Sequence, residues 1–489
     1  MKKICFVLII AIIFLLFVSC SDKEQTVGQG DSGSNETQDL PSGGGAETTE
    51  LQPSIPADSN FGGYEFRFLV RGQGYNEWKC QDIFVVEQNG EPINDAVYSR
   101  NIYLEDKLNI RILEVQENDD IAVRARKSIQ GGSNEFDVIM ANTKESSSLA
   151  EQKLVYNLNT IPVLDLTKPW WDQRSVTQLS MGNRLYFMTG DLSIMANDAT
   201  WILMFNKDLL NDVHLESPYD LVKNNKWTFD KMLEMMNVAA ADLDGDGVFD
   251  YKIDRYGFAT HDSSYDGFFF GSGSHIISKD KNDMPYLDMN NERLTGVLEK
   301  TGWLMADKTL TVNSSFLGIS HVEGLQPIFQ NGRALFYGEV MQCIIRLRAM
   351  EIDFGVIPFP KYDELQDSFN HFIHTTASMV SIPLTNTELE MTGIVLEAIS
   401  AKSKYTLQPA YYEICLEGKF MRDNESKDML DIILETRNYD IGYIYAWGNL
   451  FATFVDCAKK GNLDFASKYS TSEEKAETAM NKLLDAWME

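Results

Sequence analysis

From Ile4 to Val18 the chain is apolar without a break. From 21 to 60 it is polar with no aromatic side chain, and beyond that apolar and polar positions interleave. The interleaved part predicts regular elements. YEFRFLVRG at 64–72 reads as a strand stopped by a glycine, and residues 93–109 carry Ile93, Val97, Ile102, Leu104 and Leu108 near helical spacing. IRILEVQ predicts a second strand, DIAVRARKSIQGG a second helix, and FDVIMAN a short apolar run of the kind buried on both faces of a parallel sheet. Strands alternating with helices define an α/β layer structure, in which ligands lie beyond the carboxyl ends of the strands. That rule makes Asn142, Thr143 and Lys144 candidate cleft residues.

A second α/β unit is expected after 184–210. Residues 227–241 predict a helix with Thr228 as its cap and Asp230 in its first turn. Residues 325–340 read as a helix, a glycine turn and an apolar strand, and 353–362 as a strand ending in turn prolines. HFIHTTASMVSIPLT, after 370, is the expected passage back to the first unit, and helices dominate the remainder.

The two leading regimes change the picture of where the body sits. Lys2 and Lys3, the apolar run, Ser19 and then Cys20 follow the plan of a secretory signal. The segment resembles a bacterial lipoprotein signal, with Phe17 where leucine is usual, which implies removal of 1–19 and acyl chains on Cys20. An uncleaved anchor helix is the alternative. Residues 20–60 are then a flexible tether, because such a composition buries too little to fold. The expected location is the outer face of the cell membrane, lipid-anchored.

Composition then removes classes of partner. The 489 residues carry a formal net charge of -29, which argues against nucleic acid, since phosphate must be met by Lys and Arg. Cys80, Cys343, Cys415 and Cys457 have no metal-site spacing and are expected chiefly as buried thiols.

Across 61–489 the chain resembles the extracellular solute-binding proteins of bacterial ABC importers, in the group associated with sugars and oligosaccharides. The resemblance rests on an ordered set: NGEPINDAVYSRN, GGSNEFDVIM, KPWWDQ, RLYFMTGD, MFNKDLL, IFQNGRALF, FGVIPFPK and YYEICLEGKFMRDNES. It implies two α/β lobes on a hinge, with a cleft that closes over a carbohydrate. It also implies delivery to permease subunits, by a protein acting as a monomer without a required cofactor. The lobes would be 61–197 plus 378–430 and 198–377 plus 431–489, with crossings near 195–202 and 371–380.

A sugar site combines aromatic rings with carboxylates and amides. The candidates are Thr143, Trp170 and Trp171 in PWWDQ, Asp198 and Trp201 near the first crossing, and Tyr265 and Phe268 in the glycine-rich 261–274 stretch. Glu339 after LFYG, and Tyr445 and Trp447 in YIYAWGNL, complete the set. Sugar-binding relatives often place an aromatic where Glu339 stands, so the resemblance implies a hydrogen-bonding role there. Each candidate has a plain alternative as a packing or capping residue.

DLDGDGVFDYKID at 242–254 resembles an EF-hand loop. Asp242, Asp244, Asp246 and Gly247 match, Val248 offers its carbonyl and Asp250 stands ninth. The twelfth position is Ile253, so Asp254 is the candidate to close a structural calcium site; a self-bonded Asp/Gly turn is the alternative. Nothing places a carboxylate pair across a cleft as a glycosidase requires, and the six histidines lack a nucleophile partner or ligand spacing. A lipid-anchored sugar sensor uncoupled from transport remains the second reading.

Overall fold

The computed structural model describes residues 50–347, 350–416 and 424–488. Cys20, the signal and most of the tether lie outside the described residues. Thirteen strands run in chain order among the described residues. They are β1 (Tyr64–Arg71), β2 (Ile110–Glu117), β3 (Val138–Asn142), β4 (Trp201–Asn206), β5 (Tyr256–Thr260), β6 (Ile277–Lys279), β7 (Pro285–Leu287), β8 (Thr311–Asn313), β9 (Ala334–Val340), β10 (Phe354–Ile357), β11 (His371–Phe372), β12 (Ser378–Ser381) and β13 (Arg437–Asn438).

The first sheet has the order β12-β3-β1-β2. β1 runs parallel to β2, with Tyr64 opposite Ile110, and to β3, with Phe68 opposite Val138; β12 closes the edge antiparallel to β3. Phe66, Phe68, Leu69 and Val70 are wholly buried. Helices start where polar side chains meet free backbone N–H groups. Asp120 accepts from Val123 N, and Asn142 with Glu145 forms a reciprocal capping box. The helix Leu389–Lys404 also packs here. A side chain at its Gly393 would run into the Pro162 carbonyl, so only glycine permits that approach.

The second sheet has the order β10-β4-β9-β5-β8, with β4 antiparallel to both neighbours and β5 parallel to β8 and β9. β4, β5, β9 and β10 are buried along their whole length, as continuous apolar runs require when both faces are covered. One face packs on the helix Phe229–Ala239, capped by Thr228 as expected.

Three segments join the sheets: 194–200 into β4, 371–377 from β11 into β12, and β13. β11 pairs with β13 in parallel register, and Thr200 bridges Ile373. The helix Asn424–Glu435 buries Leu430 and Ile433. Ile102 is 50% exposed, off the buried stripe of its helix. The 261–274 stretch, expected as a loop, is a buried helix at Ser264–Gly271, because its close-set aromatics fill the lobe core. Residues 50–60 contain a turn at 57–58, and their start is tied to the first lobe, where Leu51 N–H donates to Tyr405 Oη at 2.9 Å and Lys402 pairs with Glu50 at 3.2 Å. All four cysteines in the described residues are free; Cys80 is half-buried and the others buried. No helix of the described residues is long and apolar enough to cross a membrane.

Candidate functional site at the seam between the lobes

The carboxyl ends of β1 and β3 in one lobe face those of β5 and β9 in the other. Contacts close this seam. Thr143 N–H donates to the Thr375 carbonyl at 3.1 Å, Gln342 Nε2 to the Glu77 carbonyl at 2.7 Å, and Arg346 meets Glu77 at 2.8 Å. Gln342 and Arg346 follow β9, while Glu77 follows β1, so these two contacts span the two lobes, and Thr375 belongs to the joining segment.

Glu339, at the end of β9, is 3% exposed. Its Oε2 stands 3.5 Å from His261 Nε2. The His321 ring lies 5.4 Å from that of His261, centroid to centroid. Burial alone would raise Glu339; the His261 hydrogen bond and charge and the Val340 N–H outweigh it and hold the carboxyl below its ordinary value. Burial drives His374 down to about 4, so its ring is neutral. Asp198 is fully buried; Oδ1 accepts from Tyr411 Oη at 2.8 Å and Oδ2 has no partner. Burial lifts its pKa to about 7. Hydroxyl groups, which both donate and accept, match the carboxyl of Asp198 and the carboxylate of Glu339.

Thr143, Asp198 and Glu339 sit at this seam. Trp201 lies beside it, its ring edge-on to His261 at 5.1 Å, while its unpartnered Nε1 points toward Gly267. Tyr265 and Phe268 are buried in the second lobe; Phe268 packs on Phe229, Phe258 and Phe359. Tyr445 and Trp447 stack on each other at 5.0 Å, with Tyr445 beside Phe187 and Trp487. Trp170 and Trp171 are buried in the first lobe, both donating to Glu397 at 2.9 Å. Sequence reasoning passed over His261, His321, His374, Gln342 and Arg346. Their spacing carries no linear motif; the one available signal was that His261 follows the apolar run ending β5, at a carboxyl end.

In the acidic loop, the carboxylates of Asp242, Asp244 and Asp246 lie within 4.8 Å of one another. Asp242 also accepts from Gly245 and Gly247, at 2.7 and 2.8 Å, which curls the loop around the trio. Asp254 stands apart from the three. It is fully buried and its two oxygens accept from Leu243 and Asp250 N–H groups, so it braces the loop from within. Asp250 accepts from Lys252 N–H, and the Val248 side chain is exposed.

Two α/β lobes joined by three segments, with strand ends facing across a seam, define the two-lobe fold of periplasmic solute-binding proteins. No family model matches the chain, and no curated protein does. Solved structures do. The GacH receptor of Streptomyces glaucescens, studied unliganded and with acarbose, is 13% identical, with 86% of this chain and 99% of that one covered and a TM-score of 0.53. The maltose/maltodextrin-binding domain MalE from Bdellovibrio bacteriovorus, bound to maltotriose, is 13% identical over 85% of this chain and 100% of that one, TM-score 0.52. UgpB from Mycobacterium tuberculosis, in complex with glycerophosphocholine, is 11% identical over 88% and 100%, TM-score 0.53. At these identities the shared property is the fold.

Proposed function

We propose that this chain is a receptor that captures a carbohydrate, an oligosaccharide in particular, by closing its two lobes. It then presents the solute to the permease of an ABC importer while acylated Cys20 holds it at the outer face of the membrane. The observation that carries the reading is the seam itself. Polar groups from both lobes converge there, and the buried Asp198 Oδ2 lacks a partner. A buried polar atom without a partner costs about 1–3 kcal/mol, which a ligand hydroxyl would recover. Maltotriose and acarbose, bound by the structures that share the fold, are the first solutes to test. Only affinity that differs between open and closed forms can drive closure. We assign the acidic loop a structural calcium, held by Asp242, Asp244, Asp246 and the Val248 carbonyl; hard oxygen donors suit that ion.

Calorimetric titration of the full chain with maltotriose, acarbose and glycerophosphocholine tests the reading. Binding of a sugar is expected, with Kd raised about tenfold or more in Glu339→Gln and Asp198→Asn, the loss set by one buried hydrogen bond. Sugar binding untouched by both substitutions would refute the seam as the site. Exclusive binding of glycerophosphocholine would refute the carbohydrate.

A further inference from the structure

Arg71 and Arg100 are buried in the first lobe, and neither forms an ion pair among the described residues. The fold treats them differently. Arg100 engages all three of its nitrogens: Nε donates to Asn101 Oδ1, Nη1 to Ser403 Oγ and Nη2 to the Ile83 carbonyl, each at 3.0 Å. That is how a structural arginine without a counter-ion is accommodated. Arg71, 2% exposed, has a single hydrogen bond, from Nη2 to Ser378 Oγ at 2.7 Å. Its Nε and Nη1 have no partner among the described residues, and both keep some accessible surface.

The position of Arg71 is that of a ligand group. It ends β1, and Ser378 opens β12; β3 lies between those strands, so the side chain crosses the carboxyl end of β3, where Thr143 N–H meets the Thr375 carbonyl. The acids around it are engaged elsewhere. Glu145 accepts from the N–H groups of Asn142 and Ile121, and Asp82 from Ser193 Oγ and Ile194 N–H. Asp198 accepts from Tyr411 and feels Arg71 only through space. Burial lowers the Arg71 pKa by more than Glu145 and Asp82 raise it, the mark of a charge stripped of water with no counter-ion in its place. Lys144, exposed at the start of the helix Thr143–Glu151, also forms no ion pair among the described residues, and its charge reaches His374 and Asp266. The other charges at the seam are met where they stand, Arg346 by Glu77 and Glu339 by His261 and the Val340 N–H.

We propose that the sugar taken at the seam is an acidic one, whose carboxylate or phosphate oxygens accept from the free nitrogens of Arg71, with Lys144 adding its charge from the rim. Charge-assisted bonds of this kind are the strong ones, so Arg71 decides which sugars are kept. This inference rests on the carbohydrate reading above and names the class of carbohydrate.

The test titrates the full chain calorimetrically with maltose, digalacturonate and glucose 6-phosphate. Each titration is repeated on Arg71→Gln and Lys144→Gln, with circular dichroism confirming the fold of each. Digalacturonate is expected to bind about tenfold or more tightly than maltose, the effect of one hydrogen bond to a charged group, and Arg71→Gln to abolish that preference. A preference for glucose 6-phosphate that depends on Arg71 upholds the proposal and makes phosphate the oxyanion. Maltose bound as tightly as both acidic sugars, or a preference indifferent to Arg71→Gln, overturns the proposal and leaves the carbohydrate reading standing. Binding by none of the three overturns both. If Arg71→Gln does not fold, Lys144→Gln decides: it should reduce the same preference, and an unchanged preference overturns the proposal.

Discussion

Glu397 receives three donors: the indoles of Trp170 and Trp171 at 2.9 Å each and the backbone N–H of Asp165 at 2.8 Å. Burial raises its pKa, yet every bond it accepts favours the ionised form. In Glu397→Gln an amide N–H would face an indole N–H, leaving a buried donor unpaired. The expected loss is about 1–3 kcal/mol, read as a lower urea midpoint at constant m-value; an unchanged midpoint would contradict this account. Residue-scale facts of this kind were the least legible in the sequence. PWWDQ advertises two aromatic rings, but their partner lies 226 positions away in an unremarkable helix. The seam histidines carry no linear motif either. Glu339 has a local signal, since it ends an apolar strand; His321 and His374 have no such marker.

Elements were far more legible, for reasons of period and capping. Thr228 before a helical stripe and the apolar runs of β3, β4 and β9 announce themselves locally. The helix Ser264–Gly271 did not, because Gly267 and Gly271 read as loop signals. In the fold Gly267 lets Trp201 pack directly on the helix backbone, and a side chain there would overlap that indole. The acidic loop is the opposite case: its motif was plain, while the part played by Asp254 was not. With only three clustered carboxylates and no closing bidentate group, calcium affinity in the weak, roughly 10⁻⁴–10⁻³ M range is expected. A calcium titration followed by thermal unfolding should show a rise of a few degrees that Asp244→Asn removes. Superimposable melts in calcium and in chelator would mean that the turn holds itself.

For the whole molecule, buried carboxyls set how stability depends on pH. Burial raises Asp266 to about 8, with Tyr443 hydrogen-bonded to it, and lifts Asp198 and Asp191 to about 7. Each folded value exceeds the unfolded one of about 3.9. The stabilisation is therefore complete below about pH 4 and is lost as pH climbs through 7 to 8. The melting temperature should fall between pH 5.5 and 8.5, and Asp266→Asn should narrow that fall; an equal fall in both proteins would rule out the assignment. The α/β class could be read from the chain. The exact seam could not, since it depends on how two separately patterned surfaces meet. The three passages also have a consequence for how the chain is made. β12 and the helix Leu389–Lys404 complete the first lobe, yet the whole second sheet leaves the ribosome before them. Until residue 381 emerges, β3 stands as an unpaired parallel edge, the kind of surface on which chains stick to one another. The first lobe, begun first, is finished late, and its nascent form needs shelter while its neighbour is built.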